Sequence, residues 1–216
     1  MADPLILTAV LDDAVQHRLD ALRRAHFPPG RNHLDAHVTL FHHLPGTERE
    51  AVADAVAEAV RAPAPAVDLS GVRSLGRGVA VVLTSPALAA LRADLARRWD
   101  GWLTAQDRGK RGDLHVTVQN KVTPEAARAL HRRLAVSFAP ERTRAVALAL
   151  WRYAGGPWEP VARFAFTPPP DAEEAAPSDG SGGQSRAQPG GSMPAVTYVP
   201  QGALGDTGAG SAGGAA

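Results

Sequence analysis

The sequence predicts an α+β fold of two lobes, each an antiparallel sheet flanked by helices, related by a pseudo-two-fold axis about a central cleft. Three observations predict it. Apolar residues switch between period-2 and period-3.6 patterning in the order strand, helix, strand, helix, and that order then repeats. A His-Val-Thr triplet stands near the start of the second strand of each repeat, at His37-Val38-Thr39 and at His115-Val116-Thr117. Aliphatic patterning ends near Pro168, so residues 1–167 form one folded unit of two small, interleaved lobes.

The elements follow in order. Leu5 to Leu11 is a β-like apolar run, and Asp12 or Asp13 caps a helix with Val15, Leu19 and Leu22 at helical spacing. After the Pro28-Pro29-Gly30 break comes a strand from His37 to Leu44. Thr47 and Glu50 then form a capping-box pattern before a helix carrying Val52, Val56 and Val60. Val67 and Leu69 belong to a connecting strand. The second half repeats the order with a strand at Val79–Leu83, a helix opened by Ser85-Pro86, a polar loop, and a strand from Leu114 to Val122. Thr123-Pro124 opens the next helix, where proline at the first position wastes no amide. Val146, Leu148 and Leu150 alternate along a strand that Gly155-Gly156-Pro157 turns into a last one ending at Phe166.

Residues 168–216 are rich in Pro, Gly, Ser and Ala and lack periodic apolar residues, so they are expected to form a disordered tail. A short island from Ala195 to Val199 is the one stretch there with strand character. The whole chain has a formal charge of +1, but the tail holds five acids and one base, leaving 22 Lys+Arg against 17 Asp+Glu in the folded unit. That excess suits an anionic substrate and falls short of a nucleic-acid coat. The absence of cysteine excludes disulfides, thiolate nucleophiles and Cys-ligated zinc. The apolar run at Leu5–Leu11 ends in Asp12-Asp13, unlike a signal peptide or a membrane span, and a cytoplasmic, monomeric protein without an obligate protein partner is expected.

On a strand, residues i and i+2 share a face. His37 and Thr39 therefore point together, as do His115 and Thr117, while Val38, Leu40, Val116 and Val118 turn to an apolar layer. If the two strands face each other, two imidazoles and two hydroxyls converge. Imidazole titrates near neutrality, so one ring can accept a proton while the other supplies one. Threonine hydroxyls can donate to phosphoryl oxygens as charge develops. Phosphoester chemistry of this kind requires neither metal nor cofactor, and none is expected.

With these motifs, the chain resembles the two-histidine phosphoesterases, which include bacterial 2′-5′ RNA ligases and RNA 2′,3′-cyclic phosphodiesterases. Their signature is two His-x-Thr-hydrophobic motifs, matched here by His37-Val38-Thr39-Leu40 and His115-Val116-Thr117-Val118. The resemblance spans residues 3–167, and the ending from Trp151 to Pro160 is similar to one bacterial branch of the 2′-5′ RNA ligase family. It implies His37 and His115 as the acid–base pair, in an order it leaves open, and Thr39 and Thr117 as phosphate holders. The implied reaction is opening of a 2′,3′-cyclic phosphate by water to a 2′-phosphate, on RNA ends or small cyclic nucleotides. Two alternatives remain: 2′-5′ joining of RNA, or a nucleotide- or RNA-binding module without turnover. Many relatives carry a basic residue five places after the second histidine. Here that place is Asn120, and Lys121 has the strand parity to replace it.

Other residues take secondary places. Phe41 shares the parity of His37 and can stack on a base or serve as a core or lip aromatic, and His43 shares it and can contact phosphate. His33, His37, His42 and His43 crowd together, but His42 has the wrong parity and no carboxylate pattern completes a metal site. Arg108, Lys110 and Arg111 make a basic loop where a flanking nucleotide can lie, and Tyr153 can reach the cleft.

Overall fold

A computed structural model describes residues 2–109 and 114–168. The tail expected from residue 168 onward lies outside the described residues apart from Pro168, as do Lys110 and Arg111 of the basic loop.

Seven strands and five helices form the described chain. Strand β1 (Leu5–Leu11) leads into α1 (Asp13–His26), capped by the Asp12 carboxylate accepting from the Val15 amide at 3.1 Å. Next come β2 (Val38–Leu44), α2 (Arg49–Ala59) and β3 (Ala66–Ser74). The expected capping box does not form. A single 3-10 turn at Gly46–Glu48 takes up Thr47, and the helix starts at Arg49 without a side-chain cap. Strand β4 (Val79–Thr84) is followed by α3 (Pro86–Arg98), whose cap Ser85 accepts from Leu88. The polar loop contains a short helix, α4 (Ala105–Gly109), which the alternation rules did not signal. Then come β5 (Leu114–Gln119), α5 (Pro124–Ser137) capped by Thr123, β6 (Glu141–Arg152) and β7 (Glu159–Ala165).

All seven strands belong to one antiparallel sheet, in the order β1-β2-β5-β4-β3-β6-β7, and β1 also pairs with β6. The sheet thus closes on itself like a barrel instead of forming two separate sheets. Closure depends on the length of β6. Its first residues pair with β3, its later ones pair with β7, and β1 lies along 145–152. At the opposite side the ring is joined by one pairing between β2 and β5, Val38 with Val116. The two motif strands meet there and separate.

Alternate residues such as Leu5, Leu7, Val38, Leu148 and Leu150 sit at 0–2% exposure in one continuous core with Val52 and Val56 of α2, Leu88 and Leu95 of α3, Trp99 just past the end of α3, and Leu130 of α5. Burial of such side chains contributes roughly 1.5–3 kcal/mol each. No described helix is long and apolar enough to cross a membrane.

Both motif strands carry the same irregularity. Thr8 pairs with Thr39, yet the next residue back on β1, Leu7, pairs with Phe41. Likewise Ala80 pairs with Thr117, and Val79 with Gln119. Each strand therefore bulges by one residue after its threonine, at Leu40 and at Val118. A bulge inverts the face of the residues that follow it, as far as the next register shift, which in β2 comes between Phe41 and Leu44. Phe41 and Gln119 consequently turn into the interior, at 0% and 8% exposure.

Candidate active site

The Val38–Val116 pairing fixes the centre. Because the strands are antiparallel, the register puts His37 on the Thr117 side and Thr39 on the His115 side. All four side chains are half-buried, whereas Val38, Leu40, Val116 and Val118 are fully buried on the other face. The two histidines and two threonines predicted from sequence are thus brought together.

His37 stands one residue ahead of β2, in a segment held from α1. Arg23, itself buried, donates to Asn32 Oδ1 at 2.8 Å, to the Leu34 carbonyl at 2.9 Å and to the Thr117 carbonyl at 2.6 Å. One guanidinium therefore ties the approach to the first motif to the backbone of the second. Asp20 completes the clamp by accepting from the Ala36 amide at 2.6 Å. Burial raises the Asp20 pKa, against the lowering effect of that amide. Sequence periodicity placed Val15, Leu19 and Leu22 on this helix and gave no sign of what Asp20 and Arg23 hold.

The two imidazoles have opposite environments. His37 Nδ1 lies 2.7 Å from the Asp35 carbonyl, which only accepts, so Nδ1 carries a proton. Trp158 packs on the ring with centroids 4.7 Å apart. Burial pushes the His37 pKa down to about 4; Arg23, His42 and His115 add to the effect and the Asp35 carbonyl opposes it. His37 is therefore neutral at pH 7 with its lone pair on Nε2. His115 Nδ1 instead faces Arg73 Nη2 at 3.0 Å. A guanidinium only donates, so this nitrogen holds the lone pair and the proton sits on Nε2. Arg73 reaches it from β3 because its pairing partner is Ala80, which pairs in turn with Thr117. The small alanine leaves the arginine a path across the sheet.

The secondary residues fare differently. Phe41 does not line the cleft. Its ring meets Trp99 edge-on at 5.0 Å, and Arg92 lies 4.8 Å from its centroid. Lys121 is exposed in a turn beyond the end of β5 with φ 59°, so strand parity does not apply to it. His43 is exposed, and its amide is engaged by Asp107, not by the cleft. Asp107, fully buried on α4, accepts from the His42 amide at 2.9 Å, the His43 amide at 2.9 Å and His42 Nδ1 at 3.1 Å. Burial alone would raise its pKa, but these hydrogen bonds together hold it below the usual carboxylate value. Arg92 donates to the Leu40 carbonyl at 3.0 Å and to the Asp107 carbonyl, pinning the first bulge. Tyr153 is exposed.

Trp151 and Trp158 lie 6.2 Å apart beside His37, and Trp151 Nε1 donates to Thr8 Oγ1 at 2.9 Å. No property of the sequence near His37 signalled this aromatic wall, since it comes from the far end of the folded unit.

Comparison with known proteins agrees with this architecture. E. coli LigT in its apo form superposes with a TM-score of 0.51 at 19% identity, covering 77% of this chain and 99% of that one. E. coli LigT complexed with 3′-AMP gives a TM-score of 0.51 at 18% identity, with the same coverage of each chain. No curated protein sequence matches the chain. Residues 11–157, a span that includes both His-x-Thr motifs and Trp151, match the 2′-5′ RNA ligase superfamily. The chain belongs to that superfamily.

Proposed function

We propose that this protein is a phosphodiesterase that opens 2′,3′-cyclic phosphates with water, leaving a 2′-phosphate, by acid–base catalysis between His37 and His115. The observation that carries the reading is the complementary state of the two rings. His37 offers a lone pair at Nε2, and His115 offers an N–H at Nε2.

In the reaction, a water oxygen attacks phosphorus as its proton passes to His37 Nε2. The phosphorus–O3′ bond breaks, and the departing 3′ oxygen takes the proton from His115 Nε2. A neutral imidazole is a competent donor to a developing oxyanion when its surroundings favour that state. Arg73 on Nδ1 balances the charge that develops on this ring. Proton return from His37 to His115 through solvent closes the cycle. Thr39 and Thr117 donate to the non-bridging oxygens, where charge accumulates in the transition state. Superfamily membership supports phosphoester chemistry at this site, and the LigT fold accommodates 3′-AMP, a ligand of the size required.

The test is turnover of 2′,3′-cyclic nucleotides by purified protein. His37→Ala and His115→Ala should each lower kcat by about 10²–10⁴, the range for a positioned proton-transfer group. The double variant should be far less than multiplicatively worse, because the two act as one unit. Near-native activity in either folded single variant rules the pair out. Binding of cyclic nucleotides without product would favour a binding module, and joining of RNA ends in place of hydrolysis would favour a ligase.

A further inference from the structure

Arg163, on β7, is half-buried and has no hydrogen bond or ion pair among the described residues. Most cations near the cleft are engaged: Arg23 in carbonyls, Arg73 on His115, Arg92 in carbonyls. The register places Arg163 on the cleft face. It pairs with Ala149, Ala149 pairs with Thr8, and Thr8 pairs with Thr39, so the four residues form one rank across β7, β6, β1 and β2. Residues paired across a sheet share a face. Arg163 and the phosphate-holding Thr39 therefore look the same way.

The second half contains a shorter version of this rank. Thr117, Ala80 and Arg73 align across β5, β4 and β3, two strand spacings or about 10 Å from threonine to arginine. Arg73 spans that distance to touch His115. Arg163 starts one strand further out, about 14 Å from Thr39. Its backbone is too distant for it to serve the reacting phosphate, and its long side chain bridges part of that gap toward the next phosphate along a nucleic-acid backbone. The intervening surface is aromatic: Trp151 bonds to Thr8, and Trp158 bridges from Trp151 to His37.

We infer that Arg163 is a specificity-determining residue that binds the phosphate 5′ to the reacting nucleotide, so that the site selects a cyclic-phosphate end of an RNA chain over a free cyclic mononucleotide. A guanidinium without a partner among the described residues suits this task, because its planar fork matches phosphate oxygens bidentately. The indoles between Arg163 and His37 offer a flat, apolar bed for the nucleoside that links the two phosphates. This assignment rests on the phosphodiesterase reading and extends it to the substrate.

The experiment compares a cyclic mononucleotide with a dinucleotide ending in a 2′,3′-cyclic phosphate. The readout is the ratio of their kcat/KM values in native protein, Arg163→Ala and Arg163→Lys. In native protein the dinucleotide should be preferred by roughly tenfold or more, the scale of a charge-assisted hydrogen bond. Arg163→Ala should abolish most of that preference and Arg163→Lys should keep part of it, with melting temperatures confirming that both are folded. Titration with the corresponding 2′-phosphate products gives the same ratio from Kd values without any turnover. Lack of turnover alone would count against the phosphodiesterase reading while leaving the binding ratio as the test of Arg163. A ratio unchanged by Arg163→Ala in the titrations overturns the inference.

Discussion

His37 and His115 are the same residue type in the same motif, yet their neighbours set them in different states. The carbonyl at His37 Nδ1 and the guanidinium at His115 Nδ1 fix opposite tautomers, and burial holds His37 down to about 4. The consequence is a pH profile unlike that of an unperturbed imidazole pair. As the base, His37 must be neutral, so kcat/KM of the free enzyme should stay level from pH 7 down to about 5 and fall with an apparent pKa near 4. A limb near 6.5 would show that His37 does not act as the base. Stability follows the same linkage. The folded pKa lies below the unfolded value of 6.5, so between 6.5 and about 4 the unfolded chain binds more protons. The melting temperature should therefore decline as pH falls through that window, and His37→Asn should flatten the decline. Nothing in the triplets themselves distinguishes the rings. Asp35 is a near neighbour in sequence, but Arg73 and Trp158 come from other strands and loops.

At the scale of elements, the twin bulges explain both what was legible and what was not. Alternation places His37 with Thr39 and His115 with Thr117, because each pair lies on the regular side of its bulge. Extending the same alternation to Phe41 fails one residue later, and extending it to Lys121 fails because β5 has already ended. A bulge is a pairing event between strands, so a single strand's pattern carries no mark of it. The bulged part of β2 is held from α4, an element too short for helical periodicity to reveal. Asp107 takes up two main-chain amides and the His42 ring there, while Arg92 secures the Leu40 carbonyl. Asp107→Ala leaves those amides without their acceptor in a buried place, and each such loss costs about 1–3 kcal/mol. The variant should lose roughly 2–4 kcal/mol of stability by denaturant unfolding. It should also lower kcat more than it raises KM, since the displaced strand carries Thr39. The carboxylate's share of stability is present above its unfolded pKa of 3.8 and is lost as pH falls through the lower folded value. A variant as stable and active as the native protein would show that β2 keeps its shape without this contact.

For the whole molecule, the closed sheet makes the ends of the folded chain part of the site. β1 supplies Thr8, β6 and β7 supply Trp151 and Arg163, and all of them lie on the first-motif side although they are far from it in sequence. The last strand is locked after β7 by Thr167. Its amide donates to the Val60 carbonyl at 3.2 Å, its carbonyl accepts from Ala64 at 3.0 Å, and its hydroxyl donates to the Arg61 carbonyl at 3.0 Å. Everything needed to close the ring is in place by that residue. Removing 169–216 should therefore leave the melting temperature within about 2 °C of the full chain, a change below roughly 1 kcal/mol for a protein of this size. The deletion also removes five acids and one base, taking the formal charge from +1 to +5. Association with an anionic RNA end should then accelerate at low ionic strength, and the gain should fade as salt shortens the screening length. Stopped-flow binding of a 2′-phosphate-ended oligonucleotide at two salt concentrations separates the two effects. A melting temperature lower by many degrees would show that the segment docks on the fold. An accelerated association that persists at high salt would show that the segment covers the cleft by contact instead of acting through its charge.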